Sequence, residues 1–121
     1  MSQALLEITS LEAGYGHAPV LQNIELTVRS GEAIALLGAN GAGKSTLMRS
    51  IMGLGPRVSG SIRLECQSIE RLSTEERVRR GLGYAPEGRR VFPGLSVVEN
   101  MEVASREPAA MRRKRVARMF D

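Results

Sequence analysis

The chain has 121 residues, 42% of them hydrophobic, and a formal net charge of +4. This composition is typical of a globular domain, and the length suits one such domain or part of a larger one. The longest uncharged apolar run, residues 33–39, is too short to cross a bilayer, and the N-terminus lacks the pattern of a secretory signal. A single cysteine excludes an internal disulfide and a multi-cysteine zinc site, so a reducing, cytosolic setting fits.

The N-terminal part of the chain is predicted to hold three strands and a helix. Residues 4–9 and 20–28 have strand patterns, and in the second of them polar and apolar residues alternate as in a half-buried strand. Residues 33–37 are continuously apolar, which predicts a buried central strand. A glycine-rich loop, residues 38–43, follows directly, and residues 44–52 have the apolar spacing of a helix.

A further strand is predicted over residues 59–69, and the only cysteine lies within it. We expect Cys66 to be a small buried apolar residue there, not a reactive thiol. The only histidine, His17, lies in a glycine-flanked loop, where it is expected to be exposed. One histidine provides neither a metal site nor a catalytic triad.

Two S-x-x-E capping boxes predict helix starts in the C-terminal part of the chain. Ser73 with Glu76 opens a short helix that ends near residue 80, and Ser96 with Glu99 opens a helix over 97–104. The stretch between these helices, which contains an aromatic residue and a proline, is predicted to be a loop.

The last predicted helix, residues 109–120, is strongly basic. Residues 106–121 hold six basic and two acidic side chains, so the whole net charge of the chain lies in this stretch. Basic clusters can bind nucleic acids or anionic membranes. The stretch lacks the interleaved aromatic residues of a single-strand binder. A solvated basic helix face is therefore the favoured interpretation, and we expect no nucleic-acid partner.

The strongest motif is GANGAGKS, which matches the phosphate-binding pattern G-x-x-x-x-G-K-S. A loop with little side-chain bulk lets several backbone N–H groups converge on a phosphate, and the following helix adds its positive end. Lys44 supplies a cation for the β- and γ-phosphates, and Ser45 supplies a hydroxyl for Mg²⁺. The predicted phosphate site consists of Gly38, Ala39, Asn40, Gly41, Ala42, Gly43, Lys44 and Ser45.

Two residues outside this motif are further candidates. Tyr15 lies between glycines, and an exposed ring there could stack on a nucleobase; the alternative is a tyrosine that packs on the fold. The carboxylate of Glu87 could approach a metal or a water; the alternative is a solvated loop glutamate.

These motifs, taken in order, resemble the N-terminal half of an ATP-binding subunit of an ABC transporter. The segments are Tyr-Gly, GANGAGKS, SGSI and GYAPEGRRVFPGLSVVENM, and the resemblance extends from about Leu5 to Asn100. The last segment is similar to the subfamily that powers branched-chain amino acid import, and importers of urea and short amides are the alternative. The resemblance implies an α/β P-loop NTPase fold with an antiparallel β part. It assigns 1–105 to the nucleotide-binding domain and 106–121 to the start of a helical subdomain.

The same resemblance implies roles for individual residues. Tyr15 corresponds to the adenine-stacking aromatic residue, and residues 38–46, including Thr46, to the phosphate and magnesium loop. Glu87 stands where most members carry a glutamine that senses the γ-phosphate, and it is a possible magnesium contact. Residues 87–93 would face a transmembrane permease subunit. The implied cofactors are ATP and Mg²⁺, and the implied location is the cytoplasmic face of the inner membrane, in a dimer with a second ATP-binding subunit.

The sequence also departs from the family pattern. It contains no LSGGQ-like signature, and its only aspartate, Asp121, follows a basic stretch and not an apolar strand. His17 precedes the phosphate loop and therefore does not match the family's switch histidine. We expect the chain to be about half of the family's domain, to hydrolyse ATP poorly alone and to expose a sheet edge. A non-catalytic truncated product remains an alternative, and a basic nucleic-acid binder is a weaker one.

Overall fold

The computed structural model of the chain describes residues 3–39, 41, 43–88, 91–104 and 108–119. The chain forms two compact units, which divide between Tyr84 and Ala85. Within these described residues, the first unit contains four strands and two helices, and the second contains two further helices.

A four-stranded antiparallel sheet forms the first unit. Its strands are β1 (Ala4–Tyr15), β2 (Ala18–Arg29), β3 (Arg57–Leu64) and β4 (Gln67–Ser68), in the spatial order β2-β1-β3-β4. The predicted strands at 4–9 and 20–28 are confirmed and are longer than predicted. They form one hairpin, in which Tyr15 pairs with Ala18 across a two-residue turn.

The turn between β3 and β4 corrects the prediction for Cys66. This residue is not in a strand and is not buried: with Glu65 it forms the two-residue turn, and it is exposed. Both residues have positive φ, 48° at Glu65 and 66° at Cys66. Two consecutive left-handed residues are typical of a type I′ hairpin turn, for which Asn-Gly and Asp-Gly are the preferred pairs. The continuous strand pattern over 59–69 concealed this reversal.

Helix α1 (Lys44–Met52) packs on the sheet, and its bounds agree with the prediction. Its apolar face places Leu47 and Ile51 in the core, while Met48 is partly buried beside them. The sheet contributes Ile8, Leu11, Ala13, Leu21 and Ile62 to this core, and the last member, Ile69, directly follows β4. The helix is therefore held against the sheet by its packed face.

The predicted buried strand at residues 33–37 is wrong. The structure assigns no strand there, and the side chains of Ile34 and Leu37 are 43% and 92% exposed. A strand requires a neighbour for its backbone N–H and C=O groups. In the described part of the chain all four strands pair with one another, and none pairs with this segment. Its apolar composition is therefore not sufficient to bury it.

Helix α2 (Thr74–Arg79) begins at the predicted capping box. The Ser73 side chain accepts from the Glu76 backbone N–H, and the Glu76 carboxylate accepts from the Ser73 N–H. The helix also contains Arg77, which is only 4% exposed. Its guanidinium donates to four backbone carbonyls at 2.9–3.1 Å, those of Ser50, Ile51, Glu70 and Leu72. Because two of these lie at the end of α1, Arg77 joins α2 to the C-terminus of that helix.

The second unit contains α3 (Val97–Ala104) and α4 (Ala109–Arg118). The capping box at the start of α3 is confirmed: Ser96 N–H donates to the Glu99 carboxylate at 2.9 Å, and Glu99 N–H donates to the Ser96 hydroxyl at 3.1 Å. No residue of α3 is buried. Among the described residues, no helix is long and apolar enough to cross a membrane.

Candidate functional site

The glycine-rich loop closes on itself at the start of α1. The Lys44 ammonium donates to the Gly38 carbonyl at 2.5 Å, which joins the two ends of the motif. Gly41 and Gly43 have φ values of 87° and 100°, in the left-handed region that favours glycine. Two predicted members of the site, Asn40 and Ala42, lie outside the described residues. Gly38 and Ala39 are exposed.

Gly43 also anchors the loop to the sheet. A Cβ atom on Gly43 would lie 2.5 Å from Cδ2 of Leu21 and 3.6 Å from Cγ1 of Val20. A side chain at this position would therefore be strained by the positive φ and would displace the Leu21 side chain of β2. This contact fixes where α1 begins relative to the hairpin.

The N-terminus of α1 presents backbone donors without an intrinsic cap. Gly43 is the N-cap residue and provides no side-chain hydrogen bond, and the first turn of α1 contains no acidic residue. The first N–H groups of a helix lack intrahelical partners and carry partial positive charge, which favours an anion there. With the Lys44 ammonium beside them, these donors form a cationic end suited to phosphate.

The two hydroxyl residues that follow Lys44 have different environments. Ser45 is exposed in the first turn of α1, whereas Thr46 is only 8% exposed and lies on the packed side of the helix. The Thr46 carbonyl accepts from the Ser50 hydroxyl at 2.7 Å. Of the two, Ser45 has the hydroxyl that a ligand can reach. Among the described residues, no group of three or more His, Cys, Asp or Glu side chains could hold a metal ion.

Tyr15 lies near the other end of α1. It is the last residue of β1, it is 47% exposed, and its ring lies 3.6 Å from the position that a Cβ atom on Gly55 would occupy. Gly55 follows the C-terminus of α1, whose nine residues span about 13 Å. The structure therefore does not bring Tyr15 and Lys44 into contact. A ligand that touches both must extend along the helix.

Sequence reasoning missed Arg49, which lies in the last turn of α1. Its side chain is exposed, and hydrogen bonding to Tyr15 and then to Tyr84 raises the pKa of Arg49. The only signal in the sequence is a basic residue at a helix C-terminus, which is a common feature with no ligand implied.

Comparison with known proteins identifies the family. The family model described as ABC transporter matches residues 21–121, and this segment includes the whole loop and α1. The chain belongs to the ABC transporter family. Its fold is therefore that of the ABC ATPase domain, a P-loop NTPase, here seen as an N-terminal portion with an antiparallel sheet and a few helices.

Relatives of the chain carry different substrate names. The chain is 39% identical over 97 residues to the high-affinity branched-chain amino acid transport ATP-binding protein BraG of Pseudomonas aeruginosa, covering 80% of this chain and 42% of that protein. It is 40% identical over 98 residues to the lipopolysaccharide export system ATP-binding protein LptB of Escherichia coli, covering 81% and 41%. It is 39% identical over 108 residues to the ribose import ATP-binding protein RbsA 1 of Rubrobacter xylanophilus, covering 87% and 21%. The chain thus spans about two-fifths of BraG and LptB, and identity does not single out one substrate.

Glu87, which the ABC transporter resemblance links to γ-phosphate sensing, lies in the second unit and is exposed. Its neighbours Arg89 and Arg90 lie outside the described residues. Asn100 in α3 forms hydrogen bonds with the loop beyond them. The Asn100 Oδ1 accepts from Phe92 N–H at 2.8 Å, and its Nδ2 donates to the carbonyls of Phe92, Leu95 and Ser96 at 2.9–3.3 Å. Held in this way, the loop exposes Val91 and Phe92, which are 62% and 57% exposed.

Proposed function

We propose that this chain provides a face that binds Mg·ATP in a transport ATPase. The backbone donors of residues 38–46 and the Lys44 ammonium hold the phosphates, and the Ser45 hydroxyl is a ligand to Mg²⁺. Tyr15 stacks on the adenine. The observation that carries this proposal is the closed loop at the uncapped positive end of α1, where Lys44 reaches the Gly38 carbonyl.

The contacts of Lys44 explain how the loop accepts phosphate. The Gly38 carbonyl is a neutral acceptor, and a phosphate oxygen is a charged one, which forms hydrogen bonds about twice as strong. Lys44 therefore exchanges its carbonyl partner for phosphate when the nucleotide binds, and the α1 dipole favours the same anion. Bound Mg²⁺ supplies further neutralisation of the phosphate charge. The chain's own contribution is to hold Ser45 in the first turn, next to Lys44.

We further propose that the transported substrate is a branched-chain amino acid. The similarity to BraG and the segment GYAPEGRRVFPGLSVVENM support this assignment, whereas the comparable identity to LptB leaves export of lipopolysaccharide as a competitor. Urea or short-amide import is a further alternative. In this proposal, residues 87–93 contact a transmembrane permease subunit at the cytoplasmic face of the inner membrane. A second ATP-binding subunit completes the dimer, and Glu87 senses the γ-phosphate.

Calorimetric titration with Mg·ATP tests the nucleotide site. The chain has two lysines, Lys44 in the loop and Lys114 in α4, so Lys114→Ala is a matched control for Lys44→Ala. Loss of a charge-assisted hydrogen bond predicts that Lys44→Ala weakens ATP binding about 10- to 100-fold. Lys114→Ala should bind as the wild type does. Equal binding by all three proteins would contradict the proposed role of Lys44. No heat from any of them would contradict the whole proposal and favour a non-catalytic product that binds no nucleotide.

Uptake measurements test the substrate. Deleting the gene in its native host should abolish uptake of radiolabelled leucine and leave urea uptake unchanged. The opposite pattern would identify the urea and short-amide alternative, and unchanged uptake of both would contradict an import role.

A further inference from the structure

A cavity of about 180 Å³ lies at the end of the hairpin that β1 and β2 form. The end of β1, the hairpin turn, the start of β2 and the start of β3 all contribute to its lining, which includes Glu12, Gly14, His17, Pro19, Arg57 and Ser59. Neither Tyr15 nor any described residue of the phosphate loop lines it. The cavity is therefore separate from the proposed nucleotide site.

The register of β1 and β3 places two opposite charges on one face of the sheet at this cavity. Glu12 pairs with Ser59, and Gly14 pairs with Arg57. Paired residues share a face, and so do alternate residues along a strand. Ala13, between Glu12 and Gly14, is buried in the core that α1 covers. Glu12 and Arg57 therefore lie on the opposite face, as diagonal neighbours on adjacent strands.

The close approach of the two hairpin strands at Gly14 forms part of the cavity wall. A Cβ atom on Gly14 would lie 2.6 Å from the Ala18 carbonyl oxygen and 2.9 Å from the Cα atom of Pro19. Only glycine permits this approach. Ala18 and Pro19 both line the cavity, so it has an apolar part beside its charged part.

The two charged side chains are open to a ligand. Glu12 and Arg57 are exposed, and within the described part of the chain neither side chain forms a hydrogen bond or an ion pair. A simple anion would be repelled by the Glu12 carboxylate, and a simple cation by the Arg57 guanidinium. A ligand that carries both charges is attracted by both residues.

We propose that this cavity binds a free α-amino acid. The Arg57 guanidinium donates to the α-carboxylate, as arginine does with planar carboxylates. The Glu12 carboxylate accepts from the α-ammonium group, and Pro19 with Ala18 contacts the side chain. An apolar cavity of about 150 Å³ can hold benzene, so a cavity of 180 Å³ suits a small aliphatic side chain such as that of leucine.

NMR titration of the amide resonances with L-leucine, without nucleotide, tests the site and locates it. Leucine should shift the amides of residues 12–18 and 57–59 and leave those of α1 unchanged. Leucinamide, which lacks the carboxylate, and isocaproate, which lacks the ammonium group, should each bind about tenfold more weakly, because each loses one charged hydrogen bond.

Variants of the two charged residues identify which ligand group each one binds. Arg57→Met should weaken leucine binding about tenfold and leave leucinamide binding unchanged. Glu12→Gln should weaken leucine binding and not weaken isocaproate binding. Arg71→Met is a matched control, because Arg71 is an exposed arginine of the same unit that does not line the cavity. It should bind leucine as the wild type does.

Three results would overturn the inference. The first is the absence of leucine-dependent shifts at the hairpin of the wild type. The second is a set of shifts confined to α1 and the phosphate loop. The third is an equal loss of leucine and leucinamide in Arg57→Met, which would show that the variant disturbs the hairpin and removes no carboxylate contact. Because no nucleotide is present, failure of the proposed ATP site would leave all these results unchanged.

Discussion

Two segments of the first unit have sequence patterns typical of strands, but only one of them forms a strand. The hairpin strand β2 pairs with β1 along its length, whereas residues 33–37, only a few residues further along, form no strand and leave Leu37 92% exposed. Both segments favour strands locally. The difference shows that pairing with a neighbouring strand, and not composition alone, decides whether a segment becomes part of a sheet.

The strongest test of this difference is to truncate one isoleucine in the sheet and one in residues 33–37. Ile62 in β3 is fully buried, while Ile34 is 43% exposed. Ile62→Ala should lower the free energy of unfolding by about 2 to 5 kcal/mol through lost burial and a residual cavity. Ile34→Ala should change it by less than about 0.5 kcal/mol, as exposed substitutions usually do.

Urea unfolding followed by tyrosine fluorescence measures both variants in the first unit. The chain contains no tryptophan, and its two tyrosines, Tyr15 and Tyr84, both belong to that unit. If Ile34→Ala were as costly as Ile62→Ala, residues 33–37 would be buried in solution, as their sequence predicts.

The features that the sequence predicted correctly depend on residues close together in the chain. The bounds of α1 follow from helical spacing, and the capping boxes at Ser73 and Ser96 each need a partner three residues away. The phosphate loop was found in the same way, from the spacing of its glycines and Lys44. Its anchorage against Leu21 was not found, because β2 is distant in sequence.

The features that the sequence did not predict depend on distant partners. Arg77 donates to the carbonyls of Ser50 and Ile51 at the end of α1, which are 27 and 26 positions away in the sequence. An arginine in a short, polar helix such as α2 is expected at the surface. Its burial becomes favourable only when the fold brings several carbonyls to its guanidinium.

The second prediction tests that long-range contact. Arg77→Met removes four donors from backbone carbonyls and should lower the free energy of unfolding by about 2 to 3 kcal/mol. Arg79→Met is a matched control in the same helix, because its 2.6 Å ion pair with Glu75 is exposed on both sides. Such a pair contributes little, so the control should stay within about 0.5 kcal/mol of the wild type. Equal effects of the two variants would show that Arg77 is not buried in solution.

The third prediction has the smallest expected effect and concerns a turn whose residues disfavour the conformation that they adopt. At the turn between β3 and β4, Glu65 and Cys66 both adopt positive φ, which residues other than glycine, asparagine and aspartate disfavour. The two strands nevertheless pair. Pairing across the sheet therefore outweighs an unfavourable turn, just as the lack of a neighbour outweighs favourable composition at residues 33–37. Cys66→Gly relieves the strain at one turn residue and should raise the free energy of unfolding by about 0.5 to 1 kcal/mol. Cys66→Ala, which keeps the Cβ atom, should not.

The thiol itself provides an independent check on this turn. Because Cys66 is exposed, a thiol reagent such as dithionitrobenzoate should modify it in the folded protein as fast as it modifies a small-molecule thiol. Modification that requires denaturant, together with loss of stability in Cys66→Gly, would place the residue in a continuous buried strand. Residues 59–69 would then form the single strand that their sequence pattern predicts, and there would be no turn at Cys66. Pairing that outweighs an unfavourable turn could then not be contrasted with residues 33–37.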